Sequence, residues 1–248
     1  MNVDAVLANR EALKLLNEKA PEQLSVRAYW SDVLTRLLIR MEPGSCVSSA
    51  RSTFFLREQI FDLVRAQAPE QIDSAITQMA IAANQLGFCY ISSMKWKEAV
   101  DPLELSLRLL LSRSQQNEVE IATVRHNLAS AYIALGDRRA LEFAEQALSD
   151  RQRLNVQPLL VENSRSVMAA ALYLNGQKEE STAVLRTWQE RMTVIDDFRS
   201  PTDDMMMFID GQLVGLGEIL GESNVVSNRV AIGGATSFGY SVPLLQSW

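Results

Sequence analysis

Three stretches of this chain repeat one another about 40 residues apart. A period of that length restricts a chain to stacked copies of one supersecondary unit. The first stretch is Leu86-Gly87-Phe88-Cys89-Tyr90, continuing to Ala99 and Leu103. The second is Leu128-Ala129-Ser130-Ala131-Tyr132, continuing through Gly136-Asp137 to Ala140, Ala144 and Ala147. The third is Met168-Ala169-Ala170-Ala171-Leu172, continuing through Gly176 to Ser181 and Leu185. Leu86 and Leu128 are 42 residues apart, and Leu128 and Met168 are 40 apart. Each copy has a large apolar residue, a small one beside it, and a second large residue one turn later. The small residues Gly87, Ala129 and Ala169 let a second helix come close, and Ala99, Ala140 and Ser181 do the same from the other side. Gly136 and Gly176 suit the turn between the two helices, because glycine takes a left-handed backbone without a Cβ clash. One hairpin alone leaves an apolar face bare, and stacking a neighbour covers it.

Proline and hydrophobic period mark the rest of the chain. Pro21, Pro43, Pro69, Pro158 and Pro201 fall between apolar-periodic stretches, as expected of a residue with no backbone N–H. The spacing predicts helices over 2–18, 22–41, 50–66, 70–93, 96–112, 117–135, 138–151, 157–175, 178–196 and 203–220. Strand signals are nearly absent before residue 224. Pro102 lies inside one predicted helix, where it costs on the order of 3 kcal/mol and kinks the chain, yet the apolar period continues on both sides. Gly211, Gly215 and Gly217 fall in the last predicted helix and are read as permitting close packing. Met205-Met206-Met207-Phe208 is read as core. The final residues, with Gly233-Gly234, Gly239 and Pro243, read as a tail. The expected divisions are 1–66, an N-terminal helical cap or partner-binding region; 67–196, the repeats; 197–221, a C-terminal capping helix; and 222–248, a flexible or docked tail.

Composition excludes several classes. The chain has 248 residues, 47% hydrophobic and 22% charged, with a formal net charge of −6. That balance suits a folded protein and lacks the basic face that nucleic acid needs. No run of about 18 apolar residues is present, so no membrane span is expected, and the first ten residues do not resemble a secretory leader. Cys46 and Cys89, far apart in sequence, are expected to be partly buried thiols in a reducing, cytoplasmic setting, with no metal pattern. His126 is the only histidine, so no multi-histidine metal site forms. A Cys89–His126 pair is the one nucleophilic dyad available, and packing is the simpler reading. Asp196-Asp197 and Asp203-Asp204 are read as solvated helix ends. No cofactor is expected, and no enzyme.

The stretch His126 to Asp137, followed by Ala140-Leu141-Glu142, closely resembles the tetratricopeptide repeat (TPR). The 40–42-residue spacing, and Lys97-Glu98-Ala99-Val100-Asp101-Pro102-Leu103 with its interior proline, are similar to the longer subtype in kinesin light chains. The resemblance covers about 76–192. It implies an all-α, TPR-like right-handed helical solenoid of antiparallel helix pairs with N- and C-terminal capping helices. It also implies that the first helix of each pair lines a concave groove, so Asn84, Gln85, Phe88, Thr123, His126, Asn127, Ser130, Asn163 and Ser166 are the expected partner-binding residues. Amides donate and accept, so they can pair with a peptide backbone, and Phe88 adds an apolar anchor. Of the clamp with which some TPR proteins hold a chaperone's C-terminal carboxylate, only Asn127 matches.

The expected function is therefore a protein–protein interaction module (adaptor, scaffold or assembly factor) binding a peptide or helix of another protein. A peptide-responsive regulator and an adaptor occupied by its own tail are the alternatives.

Overall fold

The computed structural model describes residues 3–20, 22–192 and 206–220. Its contacts divide the chain into two compact units, Met1–Asn117 and Glu118–Trp248. The first unit carries α1 (Val3–Lys19), α2 (Leu24–Met41), α3 (Val47–Gln67), α4 (Ile72–Ser92) and α5 (Trp96–Leu111). The second carries α6 (Glu118–Ala134), α7 (Ala140–Arg153), α8 (Pro158–Leu174), α9 (Lys178–Met192), strands β1 (Met206–Ile209) and β2 (Gln212–Gly215), and the short α10 (Leu216–Leu220). Within each unit every helix of the main run packs on the next in sequence, and α6 also touches α8. The architecture is all-α, built from consecutive helical hairpins of TPR-like form.

The three repeats close their hairpins with one geometry. The N–H groups of Lys95, Asp137 and Gln177 donate back to the carbonyls of Tyr90, Tyr132 and Leu172 at 2.8, 2.9 and 3.0 Å. Donors and acceptors are thus both offset by 42 and 40 residues, the same register as the repeat in the sequence. The bond satisfies a carbonyl left open at a helix end and needs a left-handed residue beside it. Gly136 (φ 69°) and Gly176 (φ 81°) fill that place, and Met94 (φ 56°) fills it in the first repeat.

The small residues do what their positions suggest. Ala99, Ala129, Ala140, Ala169 and Ser181 are fully buried. A Cβ placed on Gly87 would run into the side chain of Leu103 and lie 3.2 Å from the carbonyl of Ala99. Two buried hydroxyls bridge paired helices: Ser106 donates to the carbonyl of Ala80 at 2.8 Å, and Ser181 to that of Ala169 at 2.7 Å. Large side chains such as Leu103, Leu128, Tyr132, Leu185 and Trp188 fill the core between them. Pro102 is accommodated inside α5.

Two expectations are corrected. Residues 206–215, expected as part of a capping helix, form an antiparallel β-hairpin with Phe208 opposite Leu213. Its turn is Asp210-Gly211, with φ 47° and 72°, the backbone sign required of a two-residue hairpin turn. Gly211 is thus a turn residue, not a helix-packing one, and among the described residues of that predicted helix only Leu216–Leu220 is helical. The hairpin is anchored because the N–H groups of Asp210 and Gly211 each donate, at 2.9 Å, to the carbonyls of Ile133 and Ala134 at the open end of α6. Met207 is buried there, as expected of core. The second correction concerns the cysteines. Cys46 and Cys89 are joined in a disulfide, with Cα atoms 5.6 Å apart, tying the start of α3 to α4. Residues 193–205, with both aspartate pairs, and the tail at 222–248 lie outside the described residues.

Candidate interaction site

The nine residues expected to line the groove fall on three first helices. Asn84, Gln85 and Phe88 are on α4; Thr123, His126, Asn127 and Ser130 on α6; Asn163 and Ser166 on α8. Seven are buried, and Phe88 and His126 are half-buried. Several spend their hydrogen bonds inside the fold. Gln85 donates to the Asp32 carboxylate at 2.9 Å, Thr123 to the carbonyl of Val119 at 2.9 Å, Ser130 to that of His126 at 3.0 Å and Ser166 to that of Asn163 at 2.9 Å.

His126 belongs to a small polar cluster of the second unit. Its Nδ1 lies 3.3 Å from the Ser164 hydroxyl. Arg151, only 3% exposed, donates to that hydroxyl at 2.9 Å and to the carbonyl of Leu160 at 2.8 Å. Burial pushes the Arg151 guanidinium down to about 10, so it stays cationic at neutral pH. Burial first, and the Arg151 charge second, hold the His126 imidazole well below its ordinary 6.5. The cluster is a neutral imidazole beside a buried cation that fastens the end of α7 to the start of α8. Cys89 is held in the disulfide, so its pairing with His126, for which packing is the simpler reading, has no free thiol. Among the described residues no group of three or more His, Cys, Asp or Glu side chains could hold a metal ion, and no helix is long and apolar enough to cross a membrane.

Three exposed aromatic side chains, Tyr29, Trp30 and Phe55, lie on α2 and α3. The inward face of α2 is unusually polar. Ser31 and Thr35 meet Ser49 and Thr53 of α3 in a buried hydroxyl cluster, with Ser31–Thr53 and Thr35–Ser49 both at 2.9 Å. Asp32, also buried, pairs with Arg36. Burial pushes the Arg57 guanidinium down, and the Asp32 carboxylate opposes that shift. The outward side of the same helix is apolar: Val26 and Trp30 are exposed, and Val33 and Leu37 half-buried. These four recur at four, three and four residues, one face of a helix. Tyr29, 56% exposed, stands edge-on to Trp30 with ring centroids 5.6 Å apart. Helix α2 has thus turned part of its apolar surface outward.

Beside it α1, α2 and α3 enclose an open cleft of about 450 Å³. Leu34, Leu38 and Leu56 form its largely buried floor, and Phe55, 56% exposed, stands at its edge. Ser48, Ser49 and Ser52 supply hydroxyls along α3, while Arg10 of α1 and Arg27 of α2 supply charge. Arg27 donates to the Asn17 side chain at 2.7 Å, joining the end of α1 to the start of α2. The sequence carries a signal for this site in Arg10, Leu13 and Asn17, spaced for one helix face, and in the serine row from Ser45 to Ser52.

No family model matches the chain, and no curated protein matches it in sequence. Solved structures similar in fold include BtubC (BKLC) from P. vanneervenii, with a TM-score of 0.46 and 15% identity over 80% of this chain and 92% of that one. Another holds nearly identical TPR-like repeats assigned to a kinesin light chain of Podosopora anserina, with a TM-score of 0.41 and 16% identity over 78% of this chain and 98% of that one. A substituted form of those same repeats matches with a TM-score of 0.41 and 16% identity over 77% of this chain and 95% of that one.

Proposed function

We propose that this chain is a protein-interaction module without enzymatic activity, an adaptor or assembly factor whose partner seats on α1–α3. The observation that carries the reading is apolar surface left outside the fold in the first unit. Tyr29 and Trp30 are exposed on α2 and Phe55 is exposed at the edge of the cleft, and exposed aromatics are the residue type that most often anchors a partner. A helical-hairpin array suits such a role because its rigid helices hold side chains at fixed spacing. The acidic composition supports a protein partner over nucleic acid. The disulfide supports an oxidising setting rather than the reducing cytoplasm.

Affinity capture with wild type, with Tyr29→Ser/Phe55→Ser, and with Phe88→Ala/Asn127→Ala tests the proposal. The first pair is expected to lose most partner recovery and the second to keep it. Loss confined to the second pair moves the binding surface to the repeat helices, and unchanged recovery in the first pair refutes binding at the cleft.

A further inference from the structure

From a surplus of positive charge among the side chains between α2, α3 and α4, we infer that Arg57 holds a small oxyanion, a phosphate or a carboxylate. The site is separate from the cleft, because Asp32, Arg36, Arg57 and Gln85 are not among the cleft's lining residues. The first observation is where Arg57 stands. Thr53 of α3 meets Ser31 of α2 at 2.9 Å and Thr35 at 3.1 Å. Arg57 follows Thr53 by one helical turn and so lies on the same side of α3, toward α2. Asp32 and Arg36 are the residues next to Ser31 and Thr35 on α2. The charges of both reach Arg57: the Asp32 carboxylate favours its cation and the Arg36 guanidinium opposes it.

The second observation is how the hydrogen bonds are shared out. One oxygen of the Asp32 carboxylate accepts from Arg36, and the other accepts from the Gln85 amide of α4 at 2.9 Å. Both oxygens are engaged without Arg57, so one carboxylate faces two guanidinium groups. Among the described residues nothing accepts a hydrogen bond from Arg57, and its Nε is sealed from solvent. The Arg36 Nε is sealed and unused in the same way. A cation drawn out of water is unfavourable until a counter-charge meets it. An oxyanion answers both needs, because it brings negative charge and accepts from guanidinium N–H groups. The terminal nitrogens of Arg57 are not among the sealed atoms, so an ion reaches them from solvent. Asp32 and Gln85 behind them are 4% and 3% exposed, which suits a small ion rather than a chain. The bound anion neutralises the surplus and holds α3 more firmly to α2.

Thermal unfolding of the full chain in sodium chloride, sodium phosphate or sodium acetate at equal ionic strength tests this. Wild type is compared with Arg57→Met, which keeps the apolar stem and removes the charge, and with Arg65→Met, which removes an exposed cation of the same helix. A cooperative melt shows that each variant is folded. In phosphate, in acetate or in both, wild type and Arg65→Met are expected to gain about 3 °C over chloride beyond any gain of Arg57→Met. A gain in phosphate alone identifies a tetrahedral ion, and a gain in acetate alone a planar one; either supports the site. An equal gain in all three proteins is a general salt effect and overturns it. A wild type indifferent to both anions overturns it as well. Loss of the extra gain in Arg65→Met as much as in Arg57→Met reduces the effect to the charge of the helix, and it too overturns the assignment to Arg57.

Discussion

His126 shows how one side chain can be legible in type and hidden in setting. Its place on the first helix of a repeat is readable from the 42-residue register, and α6 carries it as expected. Its partners are not readable, because Ser164 and Arg151 come from helices 38 and 25 residues away in sequence. The same holds for Asn84, Asn127 and Asn163: the repeat places them on first helices, but only packing shows that they are buried. The histidine's environment has a consequence for pH. In the fold its pKa lies well below 6.5, whereas in the unfolded chain it returns to about 6.5. As pH falls through 6.5 the unfolded state takes up a proton that the native state refuses. Stability is therefore full above about 6.5 and declines below it. Urea unfolding of wild type and His126→Gln from about pH 7.5 to pH 5 is expected to show the steeper decline for wild type. Parallel declines disprove the assignment.

At the scale of elements, local signals locate nine of the helices among the described residues. Periodic apolar faces, prolines at starts and glycines at ends agree with one another there. The β-hairpin is the exception, and its physical reason is specific. The apolar residues from Met205 to Val214 fit a helical spacing about as well as two short strands, and four-residue strands give little alternation to read. The dipeptide Asp210-Gly211 is the one strong local indication of a turn, and docking on the end of α6 settles the competition. That docking depends on Gly136. A Cβ there would collide with the Asp210 side chain, and its φ of 69° is a conformation other residues avoid. Gly136→Ala is expected to cost on the order of 1–2 kcal/mol for the backbone alone, with the collision added. Thermal unfolding of Gly136→Ala and of Gly136→Ala/Asp210→Gly separates the two contributions. The double variant is expected to recover the collision part; a double no more stable than Gly136→Ala removes steric contact as the cause.

Across the whole molecule, the repeat predicts the all-α hairpin architecture because the small residues that let helices approach are themselves the repeating signal. The division into Met1–Asn117 and Glu118–Trp248 is not singled out, since the polar run from Ser112 to Asn117 reads as one more connection between helices. The disulfide is hidden for a similar reason, as 43 residues separate its ends. The cross-link lies wholly inside the first unit, so its loss acts unevenly. Closing a loop of that length stabilises by on the order of 4 kcal/mol in the chain-entropy account. Hydrogen exchange on oxidised and reduced protein is expected to show faster exchange in α2, α3 and α4 after reduction, with α6 to α9 unchanged. Equal acceleration in both units, or none in the first, contradicts this.

The Cys46–Cys89 bond also gives the chain a memory of its manufacture. Material from a reductant-filled host and material from an oxidising one differ by two hydrogen atoms, a change that a gel or an absorbance spectrum passes over. The α1–α3 cleft belongs to the same unit as that bond, so two laboratories measuring the same ligand could disagree purely through their choice of buffer. Provenance and thiol content thus become part of what any affinity measured at that cleft reports.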